Sequence, residues 1–182
     1  PDAIAAYAVG GLTYLVTANE GDARDYDGFS EEERVGDLVL DPAIFTADVC
    51  HGAPCGDEEQ LGRLNVTTTL GLNTQTGMYE QLYAYGARSF SIWSATGQRV
   101  YDSGDDFEQR TQALAQVGFN ADNEDNDFDN RSDNKGPEPE GLAVGKVKGR
   151  TYVFVGLERV GGIMVYDISN PERAEFVQYL NT

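Results

Sequence analysis

The chain is short of the side chains that carry most nucleophilic and soft-metal chemistry. It has one histidine, His51, and two cysteines, Cys50 and Cys55, among 182 residues. A single histidine in the stretch "CHGAPC" makes a His-based triad improbable, and there is no second Cys pair or His cluster to complete a zinc tetrahedron. The G-x-S-x-G elbow, the P-loop and the dinucleotide fingerprint are all missing. Basic residues are scarce as well: 13 Lys and Arg stand against 31 Asp and Glu, for a net charge of −18. Such a charge argues against nucleic acid and anionic membrane surfaces as partners. No apolar run approaches the roughly 18 residues of a membrane span. A signal peptide is also lacking, and the chain opens on Pro1 without a Met, which reads as a trimmed or excised piece.

What remains is a globular composition, 40% hydrophobic with 10 Tyr and 8 Phe, enough for one domain with a core. The negative charge suits divalent cations, basic partners or a high-salt habitat. Cys50 and Cys55 are near enough in sequence to close a small disulfide loop, which places the chain in the periplasm or outside the cell; two free thiols are the alternative.

Strand signals dominate, in pieces of about five to eight residues broken by Gly and Asn/Asp turns. They cover 3–9, 13–19, 36–41, 81–86, 89–95, 99–104, 141–147, 150–158 and 162–169. Tight turns are expected at Gly10–Gly11, Ala95–Gln98, Lys148–Gly149 and Gly161–Gly162. The best helix is "DFEQRTQALAQVG", with an acidic start, apolar Leu114 and Val117, and Gly118 as its stop. Residues 41–63 and 119–138 read as irregular insertions.

Residues 1–21 align without a gap on residues 139–159, with identities at Pro1/Pro139, Ala5/Ala143, Gly11/Gly149, Tyr14/Tyr152 and Glu20/Glu158. Each copy is a strand, a tight turn and a second strand. An antiparallel hairpin brings its two ends together, so the pairs Asp2/Glu20 and Glu140/Glu158 are expected at one rim. The offset of 138 residues is close to three units of about 45, the size of a four-stranded propeller blade. The fold class expected is therefore all-β: a β-propeller, or part of one, with four-stranded antiparallel blades, one short helix and long acidic loops. Residues 1–182 read as a single domain, a fragment of a larger propeller whose open sheet edges invite self-association.

Carboxylates are bunched in three places. Residues 122–140 hold Asp122, Asp125, Asp127 and Asp129, then "KGPEPEGL", in which two prolines pre-set the backbone around Glu138 and Glu140. An EF-hand is excluded, because neither register puts Gly at the sixth position and Glu at the twelfth. Residues 19–28 hold Glu20 and Asp22 beside Arg24, and Glu158 belongs at the same rim by the repeat. The third group, Asp102, Asp105 and Asp106, either ligates a cation or caps the following helix. Oxygen-rich clusters of this kind suit calcium. Arg24, Arg88, Arg131 and Arg159 are the candidates for clamping a phosphate on bound metal.

The strings "YLVTANEGDARDY", "GARSFSIW", "VYDSGDDFE", "DNRSDNKGPEPEGL" and "VFVGLERVGGIMVYDISNP" closely resemble the choice-of-anchor I family over almost the whole chain. The resemblance implies an exported β-propeller, in a family with cell-surface glycoproteins and secreted bacterial members. Bacterial members often carry an alkaline phosphatase label, and "PEPEGL" also resembles the P-E-G metal segment of phytase-like propellers. By that likeness Glu140 matches the P-E-G acid, and Glu20 and Glu158 match acidic motif positions. The expected function is a secreted, periplasmic or cell-surface calcium-binding module with a binding or scaffold role. Its expected partners are divalent cations, surface or mineral components and phosphorylated small molecules. The competing readings are a metal-dependent phosphomonoesterase at the acidic rim, and a halophilic propeller whose charges only keep it hydrated.

Overall fold

The structure is a computed structural model that describes residues 2–114 and 118–181. Its first strands are Ala3–Val9 (β1), Leu12–Asn19 (β2), Asp25–Tyr26 (β3), Phe29–Ser30 (β4), Glu32–Arg34 (β5), Asn65–Thr67 (β6), Leu72–Asn73 (β7) and Met78–Tyr79 (β8). Then come Ser89–Ser94 (β9), Arg99–Asp102 (β10), the helix Asp106–Gln112 (α1), Pro139–Val147 (β11), Arg150–Leu157 (β12), Ile163–Asp167 (β13) and Glu175–Leu180 (β14). The fold is all-β.

The chain divides into two compact units. One comprises Pro1–Gly21 with Gly86–Thr182, and the other Asp22–Tyr85. The first unit holds two four-stranded sheets, ordered β1-β2-β9-β10 and β11-β12-β13-β14, with every pair antiparallel. Their leading hairpins form because each has a two-residue turn in the left-handed region. Gly10 and Gly11 have φ of 59° and 82°, and Lys148 and Gly149 have 49° and 84°. That geometry matches the twist of the flanking strands. Alternation then sends Val16, Phe90 and Ile92 of the first sheet inward, and Val153, Val155, Met164 and Tyr166 of the second.

These side chains make one core, with Phe107 of α1 wedged among them. The Phe107 ring centre lies 6.0 Å from that of Phe90 and 6.0 Å from that of Tyr166, while Phe90 and Tyr166 are 4.9 Å apart. Each fully buried side chain of this size contributes about 1.5–3 kcal/mol. α1 is anchored by Phe107 and Thr111, one turn apart and both fully buried. It ends at Gln112, well before Gly118. Leu114 is exposed, and Val117 lies outside the described residues.

Other expectations change too. Residues 36–41 and 81–86 are not strands: the first begins in a helical turn, and each keeps a single isolated bridge. The strand β14 and the six short strands of the second unit are additions. The 138-residue offset does not measure three blades. It is the spacing between two neighbouring sheets, with residues 22–85 inserted between the second and third strands of the first.

The second unit has three two-stranded ladders, β3-β4, β5-β6 and β7-β8. Residues 41–63 are turn-rich, as expected, and the disulfide Cys50–Cys55 ties them, with Cα atoms 5.2 Å apart.

Candidate functional site: carboxylates at the sheet ends

Three chain segments end at one place in the first unit. Glu20 follows the last residue of β2, Glu158 follows the last residue of β12, and Glu138 precedes the first residue of β11. Carboxylate oxygens of all three lie within 4.8 Å of one another. The amide of Glu158 donates to the carbonyl of Glu138 at 2.8 Å, closing the end of the β11–β12 hairpin. Glu20 is held by a tight contact behind it: Gly86, at φ 70°, packs so close to the Glu20 carbonyl that an added Cβ would sit 1.6 Å from the oxygen.

Glu20 and Glu138 are buried, and Glu158 is half-buried. Three cations answer them. Lys135 Nζ lies 2.5 Å from Glu20 and 3.2 Å from Glu138. Arg131 donates through Nη2 to Glu138, and Arg159 reaches Glu138, Glu158 and Asp122 at 3.4, 3.4 and 3.9 Å. Burial pushes the Glu138 carboxyl up, but the Arg131 hydrogen bond and the Lys135 charge outweigh it, and its pKa falls below the ordinary value. For Glu20 burial wins over the Lys135 contact, and the pKa rises. Burial works against the Lys135 ammonium, yet its two carboxylate partners raise its pKa overall. The carboxylates of the cluster are thus paired with cations already in place.

The remaining expected ligands scatter. Asp122 stays near the cluster through Arg159, while its Oδ1 accepts the amide of Glu124 at 2.8 Å in a local turn. Asp125 and Asp127 are exposed, and Asp129 accepts the Ser132 hydroxyl. Glu140 is exposed on β11, within the irregularity of the β11–β12 register between Pro139 and Leu142, and Glu138, not Glu140, is the acid that this segment delivers to the cluster. Asp22 lies in the second unit, where it accepts the amide of Ala23. Asp105 occupies the N-cap of α1, but its carboxylate makes no capping bond and takes the Gln109 amide instead. Asp106 bonds Arg110 and the Tyr166 hydroxyl, and Asp102 accepts from Ser91.

The arginines proposed as clamps are engaged with carboxylates. Arg24 forks onto Glu31 of the second unit at 2.6 and 3.1 Å. Arg88 bonds Glu108 at 2.8 Å and the carbonyls of Ser132 and Asn134. Arg131 and Arg159 belong to the cluster itself. Sequence reasoning missed Lys135, whose only signal is its place three residues before Glu138, and the buried Glu31.

The donor set is all hard oxygen, with no His or Cys, which fits calcium or magnesium rather than zinc. The position a cation would take between Glu20 and Glu138 is next to the Lys135 ammonium. An ion seated there has to displace that contact, and the displaced cation would then be available to an anion.

Antiparallel four-stranded sheets with acidic residues gathered at their ends define an acidic-rimmed β protein. The chain belongs to the choice-of-anchor I family: the profile of the choice-of-anchor I domain matches residues 1–171. It is 40% identical over 116 residues to Gigasin-3a of Magallana gigas, covering 60% of this chain and 40% of that protein. It is 28% identical over 201 residues to the mesenchyme-specific cell surface glycoprotein of Strongylocentrotus purpuratus, covering 93% of this chain and 26% of that protein. The chain thus spans less than half the length of these relatives. No solved structure matches it. Among the described residues no helix is long and apolar enough to cross a membrane.

Proposed function

We propose that this chain is an exported, surface-associated binding module in which Glu20, Glu138 and Glu158 take up a divalent cation, calcium before magnesium. The observation that carries the reading is the convergence of three carboxylates, from three separate segments, within 4.8 Å. Lys135, Arg131 and Arg159 already pair with these carboxylates, so a divalent ion would replace the Lys135 contact rather than fill an uncompensated site, and calcium accepts an irregular set of oxygens more readily than magnesium does. Export and surface association draw support from the relative named as a cell surface glycoprotein and from the disulfide. Two consecutive four-stranded meanders sharing one core are consistent with neighbouring blades of a propeller. Surface or mineral components remain the natural partners of such a module.

A second reading, a metal-dependent phosphomonoesterase, rests on Lys135, Arg131 and Arg159 standing beside the same carboxylates. There the metal would polarise a phosphoryl oxygen, and the released cations would bind the phosphate.

The test is a thermal melt of the chelator-treated chain with millimolar calcium, and with magnesium as control. A ligand at about 100 times its dissociation constant adds roughly 2.7 kcal/mol to the native state, a shift of several degrees. Glu158→Gln is expected to remove the calcium shift, and Lys135→Gln to enlarge it by removing the competing ammonium. No shift in either the parent or Lys135→Gln would leave the cluster as a salt-bridge clamp. Hydrolysis of a phosphomonoester by the calcium-loaded chain, lost in Glu158→Gln, would select the second reading.

A further inference from the structure

The core does not use both faces of the first sheet. Ile92 points into the core, so alternation along β9 turns its neighbour Trp93, the single tryptophan of the chain, to the opposite face. A cavity of about 300 Å³ opens there, lined by Trp93, Arg99, Asp102, Ser91 and Asn19, with Gly86 among its walls. That volume is at the low end for small-molecule pockets.

The polar walls are locked to one another. The indole Nε1 donates to the Thr17 hydroxyl at 3.0 Å, and that hydroxyl donates to Asn19 Oδ1 at 2.8 Å. Asn19 Nδ2 donates to Ser91 Oγ at 2.7 Å, and Ser91 Oγ donates to Asp102 Oδ2 at 2.6 Å. Arg99 Nη1 stands 3.5 Å from the same Asp102 oxygen, with its side chain 60% exposed. The indole is therefore fixed in orientation by its own N–H, and a guanidinium–carboxylate pair stands with it at the pocket.

We propose that this pocket binds a neutral saccharide, one sugar ring lying against Trp93 with its hydroxyls on Arg99 and Asp102. A fixed indole offers a broad apolar surface to the C–H face of a ring. An Arg–Asp pair presents donors and an acceptor together, as vicinal hydroxyls require. The pair cancels its own charge, and the −18 of the whole chain disfavours an anionic ligand. The site adjoins Glu20 through Asn19 and Gly86 but shares no carboxylate with the Glu20–Glu138–Glu158 cluster, so sugar binding and cation binding are read by separate side chains.

The single tryptophan reports on its own pocket. The chain is titrated with the neutral sugars glucose, galactose, mannose, N-acetylglucosamine and cellobiose, and with glucuronic acid as the acidic comparison, and the tryptophan emission is followed. The expected result is a saturable change for at least one sugar in the millimolar range, where binding is worth about 4 kcal/mol. Arg99→Gln, on a largely exposed side chain, is expected to weaken that sugar about tenfold, and the near-isosteric Asp102→Asn likewise, while both variants keep the parent circular dichroism spectrum. Three results would overturn the proposal: no saturable change with any sugar up to roughly 100 mM, a change indifferent to both substitutions, or saturation by an acidic sugar alone. None of them bears on calcium binding.

Discussion

Glu138 bears two costs that a surface residue avoids: complete burial, and a backbone φ of 53° in the left-handed region. Each is offset by the same contacts, since Arg131, Lys135 and Arg159 all reach its carboxylate. Removing one member of a buried ion cluster leaves the others uncompensated. Glu138→Gln is therefore expected to lower stability by roughly 3 kcal/mol in urea denaturation. Glu31 gives a cleaner pH signature. The Arg24 side chain, and then its own N–H, lower the Glu31 carboxyl to about 2, against the opposing effect of burial. A folded pKa below the unfolded one gives stability that is present above the ordinary carboxylate range, and lost as pH falls toward about 2. Protection of the amides within 22–85, taken relative to their intrinsic exchange rates, should fall over that window, and Glu31→Gln should flatten the response. Glu20 and Glu138 shift in opposite directions, so their own contributions partly cancel as the pH changes.

At the scale of the element, what holds each piece differs between the units. In the first, ladder bonds and a shared aromatic core hold whole sheets. In the second, each ladder has only two strands, and the turn-rich segment 41–63 is closed by Cys50–Cys55. A short closed loop of this kind contributes roughly 2 kcal/mol through the entropy of the unfolded chain. Reduction is expected to speed amide exchange in residues 41–63 and leave β12 and β13 unchanged; equal acceleration in both places would show that the bridge acts beyond its own unit. The helix illustrates a limit of pattern reading. A thirteen-residue helix was expected from the acidic start and the glycine stop, whereas α1 is seven residues long, because its buried contacts are made by Phe107 and Thr111 alone.

For the whole molecule, the net charge of −18 sets how it responds to salt. Repulsion among exposed carboxylates is screened once the Debye length shrinks to about 10 Å at 0.1 M ionic strength. Sodium chloride is thus expected to raise the melting temperature gradually and without saturation. Calcium bound at the cluster would act at far lower concentration, would saturate, and would vanish with Glu158→Gln. A calcium effect that merely tracks ionic strength would place the whole response in screening.

Strand type, hairpin turns and the all-β class were legible in the residues themselves, because alternation and left-handed glycine turns are local properties. The repeat also places Glu20 and Glu158 at equivalent strand ends. Tertiary structure alone decided the rest. A repeat offset counts residues and not layers, so it could not distinguish three blades from one sheet interrupted by residues 22–85. Alternation could not choose between Glu138 and Glu140, two residues apart, because an irregularity at the start of β11 breaks the register that it assumes. Nor could any local pattern foresee Lys135 meeting Glu20 across 115 residues of chain. A charge contact of that kind depends on which strand ends the folded core brings together, and packing over the whole first unit determines that.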